Sequence, residues 1–236
     1  IEKRLRQVLD AEQVVLHYQP IVDIDSGKAV GAEALLRVHD GEGVLLSPAG
    51  FVDAAESSGL MSQLGSQILQ VTSRQLAQWD TDLDYAPKEI SINVSLRQLA
   101  DSELAERVRT ALDEAGVDPQ RLCIELTESV FLGHQAIVDS SVAELRELGV
   151  RIGIDEFGSG QSSLAYLKRF PLDFVKIDRS LVAGLGLNDQ DTAIVRATLD
   201  LAHNLGLIVV AVGVESVKQQ EMLALLGCDR AQGYLF

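Results

Sequence analysis

Glu33, Asn93, Glu125, Asp155, Lys176, Glu215 and Gln232 fall at or just beyond the ends of short apolar runs, with Glu128, Glu156 and Asp178 close behind three of them. A single buried carboxylate is ordinarily a helix cap or an ion-pair partner. Several converging ones repel each other strongly unless cations sit among them. Oxygen donors that include an asparagine carbonyl suit Mg²⁺, Mn²⁺ or Ca²⁺ rather than Zn²⁺, and none of His17, His39, His134 and His203 joins the set. Hard cations beside a lysine are what phosphoryl chemistry requires, because the metal neutralises the phosphate and lowers the pKa of a bound water. The residues therefore point to divalent-metal chemistry on a phosphate ester or diester. Enolisation and aldol cleavage on a metal use similar sites and stay open at this stage.

Something must bring these residues to one place. The apolar runs are Val14–Ile21, Ala29–Leu36, Glu89–Val94, Leu122–Leu126, Val150–Ile154, Phe174–Ile177, Leu207–Val212 and Ala231–Phe236. Amphipathic stretches lie between them: Phe51–Trp79, Ser102–Ala115, Ile137–Leu148, Thr192–Leu205 and Val217–Leu226. Near-continuous apolar strands alternating with helices predict a parallel sheet covered by helices, and eight strands in this length predict a closed TIM-like (β/α)8 barrel. In such a barrel the C-terminal strand ends share one face, where active sites form. Gly149 and Gly206 read as residues just past helix ends, and Ser102 with Glu106 as a helix start. The first two strands are joined only by Asp-Ile-Asp-Ser-Gly-Lys, a hairpin-length turn, so the barrel is expected to open with an irregular, antiparallel first strand.

Composition agrees with one domain over residues 1–236, since no repeat, low-complexity linker or Pro/Gly-rich hinge interrupts the chain. With 236 residues, folding buries roughly 70 % or more of the unfolded surface, so neither a disulfide nor a structural metal is needed. Cys123 and Cys228 lie in apolar contexts and read as buried thiols in a reducing compartment. The net charge of -15 excludes polymeric nucleic acid as a partner, because that needs a basic face. A small phosphodiester neutralised locally by metal ions remains compatible with it. No long apolar segment or signal sequence is present, so a cytoplasmic location is expected, free or as the cytoplasmic part of a membrane-anchored protein. The chain opens on Ile1, and Glu2–Gln13 reads as a helix arriving from an upstream signalling domain of a longer protein.

The same strand ends carry a series of motifs in order: Tyr18-Gln19-Pro20-Ile21-Val22, Glu33-Ala34-Leu35-Leu36-Arg37, Ser47-Pro48 with Phe51 and Ala55-Glu56, and Asn93-Val94-Ser95. Glu125-Leu126-Thr127-Glu128, Asp155-Glu156-Phe157-Gly158-Ser159-Gly160 with Ser162-Ser163-Leu164, Val175-Lys176-Ile177-Asp178 and Gln232-Gly233-Tyr234-Leu235-Phe236 complete it. In this the chain resembles the EAL domains, the cyclic di-GMP phosphodiesterase family. The resemblance implies hydrolysis of cyclic di-GMP to pGpG with Mg²⁺ or Mn²⁺. By position Glu33, Asn93, Glu125 and Asp155 resemble ligands of a first metal, with Asp155 bridging to a second. Lys176 resembles the residue that orients or helps deprotonate the attacking water, Glu215 and Gln232 supporting residues of the same site, and Glu128 one that holds the following loop. Gln19 and Arg37 resemble contacts to the guanine and phosphate parts of the ligand.

Two positions depart from that pattern. The family usually has a second Asp where this chain has Glu156, and a Glu where it has Val212, both resembling ligands of the second metal. Valine offers no lone pair. The extra methylene of Glu156 displaces its carboxylate by roughly an ångström, enough to cost on the order of 10²-fold in a tight reacting geometry. Ligand and first-metal binding are therefore expected to survive, with hydrolysis weakened or lost. An active phosphodiesterase in which Glu156 still reaches the second ion, and a ligand-free interaction module, are the competing readings. Gln161 replaces a common Tyr in the loop where EAL domains couple dimerisation to activity, which bears on a homodimer, and Val38 replaces a common Trp.

Overall fold

The computed structural model describes residues 1–39, 45–46, 48–82, 86–131, 135–159 and 165–236. Ser47, His134, Gly160, Gln161 and the Ser162-Ser163-Leu164 run lie outside the described residues, as does the side chain of Val38. The strands are Val15–Asp23 (β1), Ala29–His39 (β2), Leu45–Leu46 (β3), Glu89–Asn93 (β4), Leu122–Thr127 (β5), Arg151–Phe157 (β6), Phe174–Ile177 (β7), Ile208–Val212 (β8) and Arg230–Gln232 (β9). The helices are Glu2–Asp10 (α1), Pro48–Ser58 (α2), Met61–Asp82 (α3), Leu96–Leu99 (α4), Leu104–Ala115 (α5), Gln135–Glu147 (α6), Ala165–Arg169 (α7), Arg179–Ala183 (α8), Asp189–Asn204 (α9) and Val217–Leu225 (α10).

β2 and β4 through β9 pair in parallel around the sheet, and β1 closes it by pairing antiparallel with both β2 and β9. The result is the expected eight-stranded barrel with a reversed first strand, and β3 is a short addition to the outer end of β2. The reversal follows from the turn at 23–28. The Asp23 carboxylate accepts from the Ser26 backbone N–H at 2.8 Å and from its hydroxyl at 2.6 Å, while Gly27 takes the left-handed φ of 66°. So short a connection permits only an antiparallel return. Among the described residues no helix is long and apolar enough to cross a membrane.

Three expected boundaries are corrected. The single helix expected over Phe51–Trp79 is two helices, because Gly59 adopts φ 73° and ends α2 before α3 begins. α5 starts at Leu104 and its N-cap residue, Glu103, forms no side-chain cap, so Ser102 does not start it. The last strand ends at Gln232 rather than Phe236, because the chain turns into the β8 end: the Leu235 N–H bonds the Val214 carbonyl at 3.1 Å.

Side chains alternate between barrel interior and helix-covered exterior with the two-residue strand period. Ile90, Ile92, Ile124, Ile152, Ile154, Val175 and Val209 belong to the large outer core against the helices. The residues between them fill the interior in layers. At the strand starts, Glu89 receives ion pairs from Arg151 and Arg230. Above it Ile21, Cys123, Phe174 and Val210 form a small apolar layer. Cys228 belongs to the outer core, and both cysteines are buried and free. One more step along each strand reaches Glu33, Asn93, Glu125, Asp155, Lys176 and Gln232.

Gly153 sets the height of the middle layer, since a Cβ there would lie 2.3 Å from the Phe174 ring. Gly153 is also the register partner of Glu125. Gly153→Ala is expected to lower unfolding stability by about 1–3 kcal/mol through overpacking, seen as a lower denaturation midpoint. Adding Phe174→Leu should restore part of that loss, and a midpoint unchanged by Gly153→Ala would contradict this packing.

Candidate functional site

The top interior layer is built by strand register. Gln19 lies opposite Glu33, Asn93 opposite Glu125, Thr127 opposite Asp155, and Val212 opposite Gln232. Lys176 stands at its centre, 1 % exposed. Its ammonium donates to Glu33 Oε2 and Glu125 Oε2, each at 2.7 Å, and lies 3.9 Å from Asp155 Oδ1. Glu33 carries two more donors: Asn93 Nδ2 reaches Oε1 and Gln232 Nε2 reaches Oε2, both at 2.7 Å. Gln232 Nε2 also donates to Gln19 Oε1 at 3.1 Å, which ties the first and last strands together above their backbone pairing.

These contacts divide the carboxylates electrostatically. Burial raises the Glu33 pKa, but Lys176 and the hydrogen bonds from Lys176, Gln232 and Asn93 outweigh it and leave that carboxyl below its ordinary value. Glu125 is pushed up to about 8, first by burial and then by the charges of Glu33 and Asp155, with Lys176 opposing. Asp155 is also raised, by burial first, with Lys176 opposing. Lys176 moves the other way: burial opposes its charge, but Glu125, Glu33 and Asp155 together raise its pKa. Three carboxylates face one ammonium, so the cluster is short of positive charge.

Oxygens of Glu33, Glu125 and Asp155 all come within 4.8 Å of one another, and they are a group that can hold a metal ion. Glu125 Oε1 is buried with no hydrogen-bond partner among the described residues. An acceptor left so is costly unless a cation or water meets it. Asn93 spends its donor on Glu33, which leaves its carbonyl for the same purpose. The donor set is all oxygen, so the residues fit a hard divalent ion.

The remaining expected site residues are placed differently. Asp155 and Glu156 sit on a β-bulge, since the register of β6 with β7 slips between Ile154 and Phe157. Glu156 takes φ 58°, its backbone N–H turned onto Asp155 Oδ1 at 2.8 Å. Its side chain is exposed and forms no ion pair among the described residues, and burial, then Asp155 and Asp178, raises its pKa. Val212 is half-buried, on the interior face one step above Val210, where it offers no ligand atom. Glu215 is exposed in the turn after β8, and its backbone N–H bonds Gln219 Oε1 at 2.9 Å. Glu128 is buried and its Oε2 accepts from the Gly158 N–H at 3.4 Å, which links the end of β5 to the turn after β6. Arg37 is half-buried and donates to the Leu36 carbonyl at 2.9 Å.

Sequence reasoning missed the bulge and the Glu89–Arg151–Arg230 layer. The layer had a signal, three charged residues each at the first position of a strand, two or more residues before a site residue. The bulge had none.

A parallel-rich barrel with a carboxylate and lysine cluster at the C-terminal strand ends defines a class of divalent-metal sites on (β/α)8 scaffolds. The sequence profile described as "EAL domain" matches residues 2–236, and the chain belongs to that family. It is 41 % identical over 231 residues to the bifunctional diguanylate cyclase/cyclic di-GMP phosphodiesterase MucR of Pseudomonas aeruginosa, covering 98 % of this chain and 34 % of that protein. It is 38 % identical over 239 residues to the cyclic di-GMP phosphodiesterase NbdA of the same species, covering 100 % and 30 %. The chain thus spans about a third of the length of the curated relatives it matches. Among solved structures, the PaMucR phosphodiesterase in complex with c-di-GMP superposes with a TM-score of 0.88 at 40 % identity, covering 99 % of this chain and 94 % of that one. The FimX EAL domain of Pseudomonas aeruginosa, at 23 % identity and a TM-score of 0.89 over 98 % and 93 %, shows the fold alone.

Lys176→Met leaves Glu33 and Glu125 buried against each other without a counter-charge. The expected loss is about 3–5 kcal/mol of stability in chelator-treated protein, measured by denaturant unfolding. Adding Glu125→Gln to that variant should recover most of it. No recovery would show that Lys176 matters for its packing rather than its charge.

Proposed function

We propose that this domain binds cyclic di-GMP at the C-terminal face of the barrel through one divalent ion, Mg²⁺ or Mn²⁺, and that hydrolysis to pGpG is weak or lost. The observation that carries the proposal is the contrast within one layer. Glu33, Asn93, Glu125 and Asp155 converge around Lys176, whereas Val212 supplies no oxygen and the Glu156 side chain is exposed. The named activity and the c-di-GMP complex of MucR support the choice of ligand.

Glu33, Asn93, Glu125 and Asp155 would hold the ion, which when bound neutralises phosphate charge and makes a water more acidic. Lys176 keeps Glu33 ionised and fixes Glu33 and Glu125 in direction, and Gln232 joins Glu33 to Gln19. Arg37 and Gln19 would meet the phosphate and a guanine. Glu156, next to Asp155, is the carboxylate that would have to make up for Val212, and a Glu in the left-handed backbone region is less readily accommodated than Asn or Asp. These features would weaken the binding of a second metal ion.

Mn²⁺ or Mg²⁺ should raise the melting temperature by mass action, and Glu33→Ala should abolish that shift. Incubation with cyclic di-GMP and Mn²⁺ over hours, resolved by chromatography, tests the reaction. Binding with intact substrate supports the proposal, pGpG formation abolished by Glu33→Ala makes the domain an active phosphodiesterase, and no binding leaves an interaction module. The paired change Val212→Glu with Glu156→Asp should raise turnover, and if it does not, the metal-ligand account of these two positions is wrong.

A further inference from the structure

One nitrogen of Gln232 serves two acceptors in the top layer of the barrel. Its Nε2 donates to Glu33 Oε2 at 2.7 Å and to Gln19 Oε1 at 3.1 Å. Gln232 is almost wholly buried, and its Oε1 has no hydrogen-bond partner among the described residues. Turning the amide over would not relieve that oxygen, because it would then face the Glu33 carboxylate. Glu33 accepts from Lys176 Nζ and Asn93 Nδ2 as well, each at 2.7 Å, and an ionised carboxylate has no proton to give. The metal-site carboxylate therefore decides which end of Gln232 faces it.

That choice fixes a second amide. Gln232 meets Gln19 with an N–H, so the atom it meets must be the Gln19 oxygen. Gln19 lies opposite Glu33 in the register of β1 with β2 and is half-buried. With its oxygen turned inward to Gln232, the amino group is the end that Gln19 presents to a ligand. A glutamine free at both ends reads adenine, donating to N7 and accepting from the N6 amino group. Guanine offers two acceptors on the same edge, O6 and N7. An amino group presented alone matches guanine, and it meets the adenine N6 donor with another donor.

We propose that Gln232 is a positioning residue for base selection, holding the Gln19 amino group toward the O6 and N7 edge of guanine and so disfavouring adenine. This inference rests on the function proposed above, in which Gln19 meets a guanine. The hydrogen bonds run without a break from Lys176 through Glu33 and Gln232 to Gln19. The carboxylate that would hold the metal thus also sets, through one glutamine, the direction of the residue that reads the base.

Cyclic di-GMP and cyclic di-AMP are each titrated into the domain at saturating Mn²⁺ by calorimetry, and the ratio of their affinities is the readout. The unaltered domain should favour cyclic di-GMP by about tenfold or more. Gln232→Leu should narrow that ratio about tenfold, chiefly by tightening cyclic di-AMP, because the released Gln19 can turn its oxygen to N6. Gln19→Leu should narrow it as well, but by weakening cyclic di-GMP. Lost packing or a lost metal would weaken both ligands alike and leave the ratio where it was. Circular dichroism checks that each variant is folded, and Gln232→Met replaces Gln232→Leu if that one is not. No preference for cyclic di-GMP in the unaltered domain overturns the inference. So does a ratio that moves in neither variant, which would give the Gln19 amino group to the phosphates both ligands share. A ratio moved by Gln19→Leu but not by the Gln232 variant removes the positioning role. A domain that binds neither ligand overturns the proposed function and this inference with it, whereas cyclic di-GMP binding with an unmoved ratio overturns this inference alone.

Discussion

Lys176 contributes one ammonium to a place where three strands each bring a carboxylate, and the top of the barrel is organised by that imbalance. The ammonium is almost wholly buried, and it persists there because Glu33 and Glu125 each accept from it at 2.7 Å. Such an arrangement has no slack. Without the lysine, two carboxylates would face each other in a low-dielectric interior. Without either carboxylate, the ammonium would lose a partner that offsets its desolvation. One positive charge among three negative ones also leaves the cluster receptive to a further cation. The buried, unpartnered Glu125 Oε1 expresses the same deficit in hydrogen-bond terms.

The layers beneath explain how the strands can hold those charges at fixed distances. The Glu89–Arg151–Arg230 group pins β4, β6 and β9 at their starts, and the Phe174 ring seated over Gly153 spaces β6 from β7 above it. A substitution in either layer would tilt the strands and change distances in the layer above. Polar groups occur at both ends of the barrel interior with an apolar layer between, so the two charged groups are separated.

In the function proposed above, the positions that match the family pattern and those that depart from it share the same strand ends. The residues of the cluster and their neighbours differ in how each is held. Glu33, Asn93, Glu125 and Lys176 lie on regular strands whose register fixes them, whereas Asp155 and Glu156 lie where the register slips. A carboxylate on a bulge with φ 58° depends on its loop for direction, and its extra methylene is added where the backbone is least regular.

Much of this was legible in the chain alone. Apolar runs alternating with amphipathic stretches specified the barrel, because burial on both faces demands continuous apolar strands and surface helices demand a 3.6-residue stripe. The six-residue Asp-rich turn specified the reversed first strand. The residue types at the strand ends indicated oxygen-ligand chemistry, since type and position along a strand are local properties. Gly59 could be seen in the sequence, but whether it interrupts a helix or is carried through one depends on what that helix packs against. Tertiary structure alone decided that Lys176, 143 residues from Glu33, shares its ammonium between Glu33 and Glu125. It alone put Glu156 on a bulge and set Gln232 between Glu33 and Gln19. Each of these follows from how separate strands align in register and how helices sit on the barrel, and no local pattern of residues encodes a relation between elements that meet only in the closed fold.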